Sequence, residues 1–233
     1  MSFINRFDAG RQLGAALLAQ PLADPVILGV LRGGVPVAAE VANVLHAPLE
    51  LCVVRKLFSP GCPSFSIGAV AEHDAVYLAD DEIAKLRLSP GDIQRAIRLE
   101  RMEVARLGEL LREAGPLSLR GRDAIVVDDA VTSVDTLRAA ARAVREQTPR
   151  SLVLAVPVGD LALVRNLHAD YDRVVCLLAE PLLSTVGMRY RDFPPVSEAE
   201  VAGLLAEAWR DAEARNAIAK TRHGADHARL LRP

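Results

Sequence analysis

Asp128 and Asp129 stand together at the end of a β-branched run, Asp123-Ala124-Ile125-Val126-Val127, and Ala130-Val131-Thr132-Ser133-Val134-Asp135-Thr136 follows at once. Two adjacent carboxylates can hold sugar hydroxyls or a hard cation. The small, hydroxyl-rich stretch leads into an Ala/Arg-rich helical pattern from Leu137 to Glu146. The first amides of a helix have no partner within it. A strand, a short loop and a helix N-terminus in that order suit a phosphorylated ligand, with main-chain N–H groups facing the anion and carboxylates its hydroxyls. The bland alternative is an ordinary strand-to-helix turn in which Asp135 or Ser133 only caps the helix.

Three other groupings offer complementary chemistry. Arg32-Gly33-Gly34 follows the apolar run Pro25 to Leu31; glycines let the backbone approach a ligand, and the guanidinium offers a fork of donors to phosphate oxygens. Arg55-Lys56 closes the apolar run Leu49 to Val54 and could neutralise an anion, although solvent-facing charges explain it equally simply. Val186 to Phe193 concentrates aromatic residues that make up only 4% of the chain. Tyr190 and Phe193 could flank a flat ring or form an aromatic lid over the core edge.

These residues need elements to position them. Apolar runs at 25–31, 49–54, 123–127, 151–157 and 173–178 alternate with amphipathic patterns at 6–19, to about 45, 92–112, 137–146 and 160–168. That alternation predicts an α/β chain with a doubly wound, mostly parallel sheet flanked by helices, and ligands outside the strands' carboxyl ends. A pair of short strands is expected between Ile67 and Leu78, and Leu57 to Gly68, rich in Pro, Gly and Ser, reads as a loop that could act as a small lid. Ser197-Glu198-Ala199-Glu200 is a capping box that opens a terminal helix to Trp209. Residues 1–215 form one domain on this reading, and 216–233 a flexible basic tail carrying Lys220, Arg222, Arg229 and Arg232.

Composition excludes some partners. The chain of 233 residues has 28 Lys+Arg against 30 Asp+Glu, a net charge of -2, so it shows no basic footprint for nucleic acid. Apolar stretches are broken by charge or Pro before membrane-spanning length, and the N-terminus has no apolar leader. Cys52, Cys62 and Cys176 are unpaired in spacing, which fits a reducing, cytoplasmic setting. No nucleotide-binding glycine motif occurs, and Ala130 occupies the second acidic position that an aspartyl phosphotransferase needs.

Taken in order, the motifs resemble the type I phosphoribosyltransferases from about Phe7 to Leu205, and a bacterial branch of them in particular. The resemblance is carried by Phe3 to Gly10, Leu31-Arg32-Gly33-Gly34-Val35-Pro36-Val37-Ala38, Val54-Arg55-Lys56-Leu57, Ile67-Gly68-Ala69-Val70, the acidic pair with its loop, Val186-Gly187, Tyr190 and Asp192-Phe193. It implies transfer of a phosphoribosyl group from phosphoribosyl pyrophosphate to a heterocyclic base, with Mg2+ as cofactor and a homodimer as the expected assembly. It further implies that Asp128 and Asp129 hold the ribose hydroxyls and, through ligand or water, the metal. Ala130 to Thr136 would cradle the 5′-phosphate. Arg32, Gly33 and Gly34 would meet pyrophosphate with Arg55 and Lys56 nearby, while Val186, Tyr190 and Phe193 would face the base.

Two positions depart from the family's loop, which reads Asp-Asp-Gly-x-x-Thr-Gly-x-Thr. Val134 replaces the second glycine, and a β-branched residue resists positive φ. Asp135 adds a carboxylate beside the anion site, where it would repel phosphate or cap the helix amides itself. The expected consequence is weakened phosphate affinity, and an alternative role as a nucleotide-binding or regulatory module descended from an enzyme. The segment after Leu107 also lacks the Arg/Gly-rich tract of the family.

Overall fold

The computed structural model describes residues 2–112, 115–181, 186–211 and 214. Five strands, β1 (Pro25–Val30), β2 (Leu49–Cys52), β6 (Asp123–Val127), β7 (Ser151–Asp160) and β8 (Arg173–Glu180), form a parallel sheet in the order β2-β1-β6-β7-β8. Both faces are covered, which is why these strands read as near-continuous apolar runs. Ile27, Ile125 and Val153 pack against α1 (Arg6–Leu17), α2 (Gly34–Leu45) and α4 (Pro90–Leu111). Val26, Ala124, Val126 and Leu154 face the other way, against α5 (Asp135–Glu146) and α6 (Leu161–Asn166). This is the predicted central parallel sheet flanked by helices.

The chain order reverses between β1 and β6, so the segments after these two neighbouring strands enclose the crevice where open parallel sheets bind ligands. A short helix, α3 (Asp80–Leu86), precedes α4, and a final helix, α7, covers residues 198–211. Ser197 caps it as predicted, with the Glu200 amide donating to Ser197 Oγ at 3.1 Å, but among the described residues no return bond from the Ser197 amide to the Glu200 carboxylate completes the box. None of the described helices is long and apolar enough to cross a membrane. The basic tail from 216 onward lies outside the described residues.

One expectation needs correction. Leu57 to Gly68 is not a loop: β3 (Val54–Ser59) and β4 (Cys62–Ala71) form an antiparallel hairpin, joined by β5 (Val76–Leu78) into a second sheet. Pro60 and Gly61 occupy only its turn, with Gly61 at φ 82°. The apolar run from Leu49 likewise divides at Val53, whose amide donates to Glu72 Oε2 at 3.1 Å instead of continuing the first ladder. Arg55 and Lys56 therefore lie within a strand, and their side chains project to opposite faces.

At the far end of the sheet Asp123 is fully buried and accepts bonds from the Ala23 amide at 2.7 Å, Ser151 Oγ at 2.7 Å and Arg150 Nε at 2.8 Å. Burial alone would raise its pKa, but Arg150 and these donors hold it below the usual carboxylate value. A depressed folded-state pKa contributes stability that is present above the unfolded value of about 3.9 and is lost as pH falls through the lower folded value. Urea unfolding between pH 3 and 7 should show that acid loss in the wild type and a shallower dependence in Asp123→Asn.

Candidate functional site

Asp128 and Asp129 leave the carboxyl end of β6, where hydrogen bonding in the ladder stops and side chains turn into the crevice. Both are half-buried. Asp128 Oδ1 accepts the Asp129 amide at 2.9 Å. Asp129 Oδ2 accepts Arg6 Nε at 2.8 Å. Burial, then the adjacent Asp129 charge, push the Asp128 pKa well above the ordinary range, against the pull of Lys56 and Arg6. Burial also raises Asp129, with Arg6 opposing it. The pair thus keeps a proton to higher pH than free carboxylates do.

Gly33 and Gly34 abut this pair. A Cβ at Gly33 would fall 2.2 Å from Asp129 Oδ2, and one at Gly34 would fall 2.5 Å from the Val127 carbonyl oxygen. At Gly34 the two turns therefore touch through main chain, a closeness only glycine permits, and at Gly33 the turn rests on the Asp129 carboxylate. Arg32 is exposed at the mouth, and its guanidinium pairs with no described residue. Lys56 shares its side of the hairpin with Val54, close enough for its charge to favour ionised Asp128. Arg55 does not join it. Its Nε donates to Glu100 Oε2 on α4 at 2.9 Å, because the strand's pleat turns it to the opposite face.

After the acidic pair, Val131 is fully buried and committed to the sheet: its amide donates to Val158 O at 2.9 Å and its carbonyl accepts the Asp160 amide at 3.1 Å. Ala130 is buried beside it. Those two residues therefore anchor the loop, while the amides of Thr132, Ser133, Val134 and Thr136 donate to none of the described residues. Val134 sits at φ -86°, ψ -16°, a right-handed conformation open to a β-branched side chain. The expected conflict with positive φ does not arise. Asp135 does not cap the helix with its carboxylate either; Oδ2 accepts the Ser66 hydroxyl of β4 at 2.6 Å, and its own amide donates to Ser133 Oγ at 3.3 Å.

The aromatic loop faces inward. Tyr190 is 5% exposed, and its hydroxyl donates to the Asp129 carbonyl at 2.7 Å. Phe193 stacks on Tyr190 at 4.6 Å between centroids and carries the Arg6 guanidinium 3.7 Å over its ring. Both rings are thus tied to the Arg6–Asp129 pair, Phe193 through Arg6 and Tyr190 through the Asp129 carbonyl. Val186 packs against the same small cluster.

With this arrangement in place, comparison is informative: the phosphoribosyl transferase domain family matches residues 4–185. The chain belongs to that family. It is 38% identical over 217 residues to proteins from two strains of Mycobacterium tuberculosis, whose names assign them provisionally to the phosphoribosyl transferases. The match takes in 93% of this chain and 49% of theirs, so the chain spans about half the length of these curated relatives. The crystal structure of TT1426 from Thermus thermophilus superposes with a TM-score of 0.75 at 36% identity, covering 89% of this chain and 99% of that one.

Within the phosphoribosyl transferase fold, two site neighbours escape sequence reasoning. Arg6 lies 123 residues before Asp129, and Ser66 lies 69 before Asp135. The Asn5 to Gly10 motif marked the segment carrying Arg6 but not its target. Nothing local marked Ser66. The cysteines stay outside the chemistry: burial pushes the Cys52 thiol far up and Cys176 up to about 11, which keeps both protonated.

Proposed function

We propose that the crevice between β1 and β6 transfers the phosphoribosyl group of phosphoribosyl pyrophosphate to a ring nitrogen of a nucleobase-like heterocycle, releasing pyrophosphate. The observation that supports this most is the contact of the acidic pair with the Gly33-Gly34 turn, beside a helix N-terminus whose amides at 132, 133, 134 and 136 lack partners among the described residues. An anion seated on those amides and a ribose on the carboxylates would together make a sugar phosphate.

On this reading Asp128 and Asp129 orient the ribose hydroxyls, and the 132–136 segment holds the 5′-phosphate. The Gly33 and Gly34 main chain and Arg32 receive the pyrophosphate, and Lys56 adds positive charge from the hairpin. The ring nitrogen bonds to the anomeric carbon as that carbon's bond to the pyrophosphate oxygen breaks, through an oxocarbenium-like transition state, and the nitrogen's proton passes to solvent. Arg32 and Lys56 stabilise the charge that grows on the leaving oxygens. The donor set fits Mg2+ in one way: hard carboxylate oxygens are present, yet among the described residues no group of three or more His, Cys, Asp or Glu could cage an ion. Asp128 and Asp129 would therefore hold it through ligand oxygens or water, where it would supply charge neutralisation to pyrophosphate.

Asp135 supports a second reading, a binding or regulatory module with a weakened phosphate loop, since it places a negative charge in the first turn of the helix whose N-terminus would receive the phosphate. Calorimetric titration with phosphoribosyl pyrophosphate and Mg2+ decides between them. The enzyme reading expects saturable binding by the wild type, and pyrophosphate release with at least one of a panel of purines and pyrimidines. Undetectable binding by the wild type with recovery in Val134→Gly/Asp135→Ala supports the module. No binding by either protein overturns the sugar-phosphate reading itself.

A further inference from the structure

Residues 3–4 and 189–192 meet beside Asp129. The Phe3 amide donates to Arg189 O at 2.8 Å, the Arg191 amide to Phe3 O at 2.9 Å and the Asp192 amide to Ile4 O at 2.9 Å, so residues 3–4 and 189–192 run as a paired strap. Arg6 rises from this strap at the start of α1 and is 9% exposed. Its Nε donates to Asp129 Oδ2 at 2.8 Å and its Nη1 to Pro194 O at 2.6 Å. The guanidinium plane also lies over Phe193, and Tyr190 bonds the Asp129 carbonyl. Asp129 is consequently gripped through both side chain and main chain. Asp128 has no comparable restraint; among the described residues only the Asp129 amide donates to it.

We propose that Arg6 is a positioning residue that makes the two carboxylates unequal: Asp129 becomes a fixed wall against the glycine turn, and Asp128 the carboxylate free to turn to ligand hydroxyls. The inference rests on the phosphoribosyl pyrophosphate reading of the crevice. Two physical effects carry it. A charge-assisted bond from a planar guanidinium that is itself pinned at Pro194 and Phe193 fixes direction as well as distance. The same cation cancels one of two negative charges beside a site that must accept a polyanion. A Lys at position 6 would keep the charge but lose the planar fork and the ring contact.

The test is titration of wild type, Arg6→Met, Arg6→Lys, Asp128→Asn, Asp129→Asn and Arg6→Met/Asp129→Asn with phosphoribosyl pyrophosphate and Mg2+, each checked for folding by circular dichroism. Arg6→Met should weaken binding by about tenfold or more, a change of about 1.4 kcal/mol per decade. Arg6→Lys should recover only part of it. Asp128→Asn should cost more than Asp129→Asn, and Arg6→Met should add little in the Asp129→Asn background, since Arg6 acts through that carboxylate. Equal losses for the two Asp variants, or additive losses for Arg6 and Asp129, would overturn the proposal. If the wild type takes up no ligand, the proposed reaction fails. The Arg6 Nε–H exchange rate in NMR then decides the clamp: protection in wild type and Asp128→Asn but not in Asp129→Ala, which removes the acceptor, supports it, and protection unchanged in Asp129→Ala overturns it.

Discussion

Arg112→Met should lower the free energy of unfolding by about 3–5 kcal/mol, the loss typical of breaking a buried ion pair from one side. Arg112 follows α4 with its side chain 8% exposed, and Glu50 beneath it is 3% exposed. Its Nε donates to Glu50 Oε1 at 2.6 Å, its Nη2 to Glu72 Oε2 at 2.9 Å and to the Leu51 carbonyl at 3.0 Å, and its Nη1 also bonds Glu72. Burial alone would lower the Arg112 pKa, but the two glutamates raise it, so the cation persists at any working pH. Removing it strands two carboxylates in a poorly solvated place. Neutralising them should recover part of the loss: in Arg112→Met/Glu50→Gln/Glu72→Gln the amide oxygen at position 72 can still accept from Val53, and the single one at position 50 from Leu51 or Leu117 but not both, where Glu50 now uses its two oxygens. Urea unfolding of the wild type and these variants provides the comparison. A single variant within about 1 kcal/mol of wild type would mean that water reaches the triad and solvates what remains.

The triad illustrates which features a sequence carries and which it does not. Strands β1 and β6, with their acidic and glycine-rich ends, are legible because the pattern is local: an apolar run stops, a turn follows and a helix begins. Arg6 and Ser66 are not, because their importance lies only in what they touch, and those partners are set by how α1 and the hairpin pack on the sheet. The hairpin was obscured by composition. Pro60, Gly61 and Pro63 signal a loop, yet they fall at the turn and on an exposed stretch, while cross-strand pairs such as Lys56 with Ala69 and Arg55 with Val70 hold the strands. Tyr190 and Phe193 show the same limit from the other side. Their clustering is visible in the sequence, but the face they present depends on the strap with Phe3. Val134 is the subtlest case: the family pattern suggested a backbone needing glycine, whereas the loop here keeps negative φ and accepts a branched side chain.

Gly33→Ala and Gly34→Ala should separate stability from binding, although the residues are neighbours. Gly33 has φ -64° and ψ -29°, which alanine adopts without strain, so the obstacle is only the Asp129 carboxylate 2.2 Å from the new methyl. That side chain can rotate, at the cost of its bond to Arg6. The unfolding free energy of Gly33→Ala should stay within about 1 kcal/mol of wild type, because the loss is offset by the reduced freedom of the unfolded chain. Binding of phosphoribosyl pyrophosphate should fall by about tenfold or more, since the displaced Asp129 would no longer form the fixed wall beside Asp128 and the pyrophosphate turn. At Gly34 the obstacles are main chain, Val127 O at 2.5 Å and Asp128 Cα at 2.9 Å, and neither can rotate away. Here α2 must shift against β6, so Gly34→Ala should lose about 1–3 kcal/mol of stability together with binding. Parallel urea unfolding and calorimetry test both. Wild-type binding by Gly33→Ala would show that Asp129 need not hold its place against the turn, and would remove the contact on which the sugar-phosphate reading leans most.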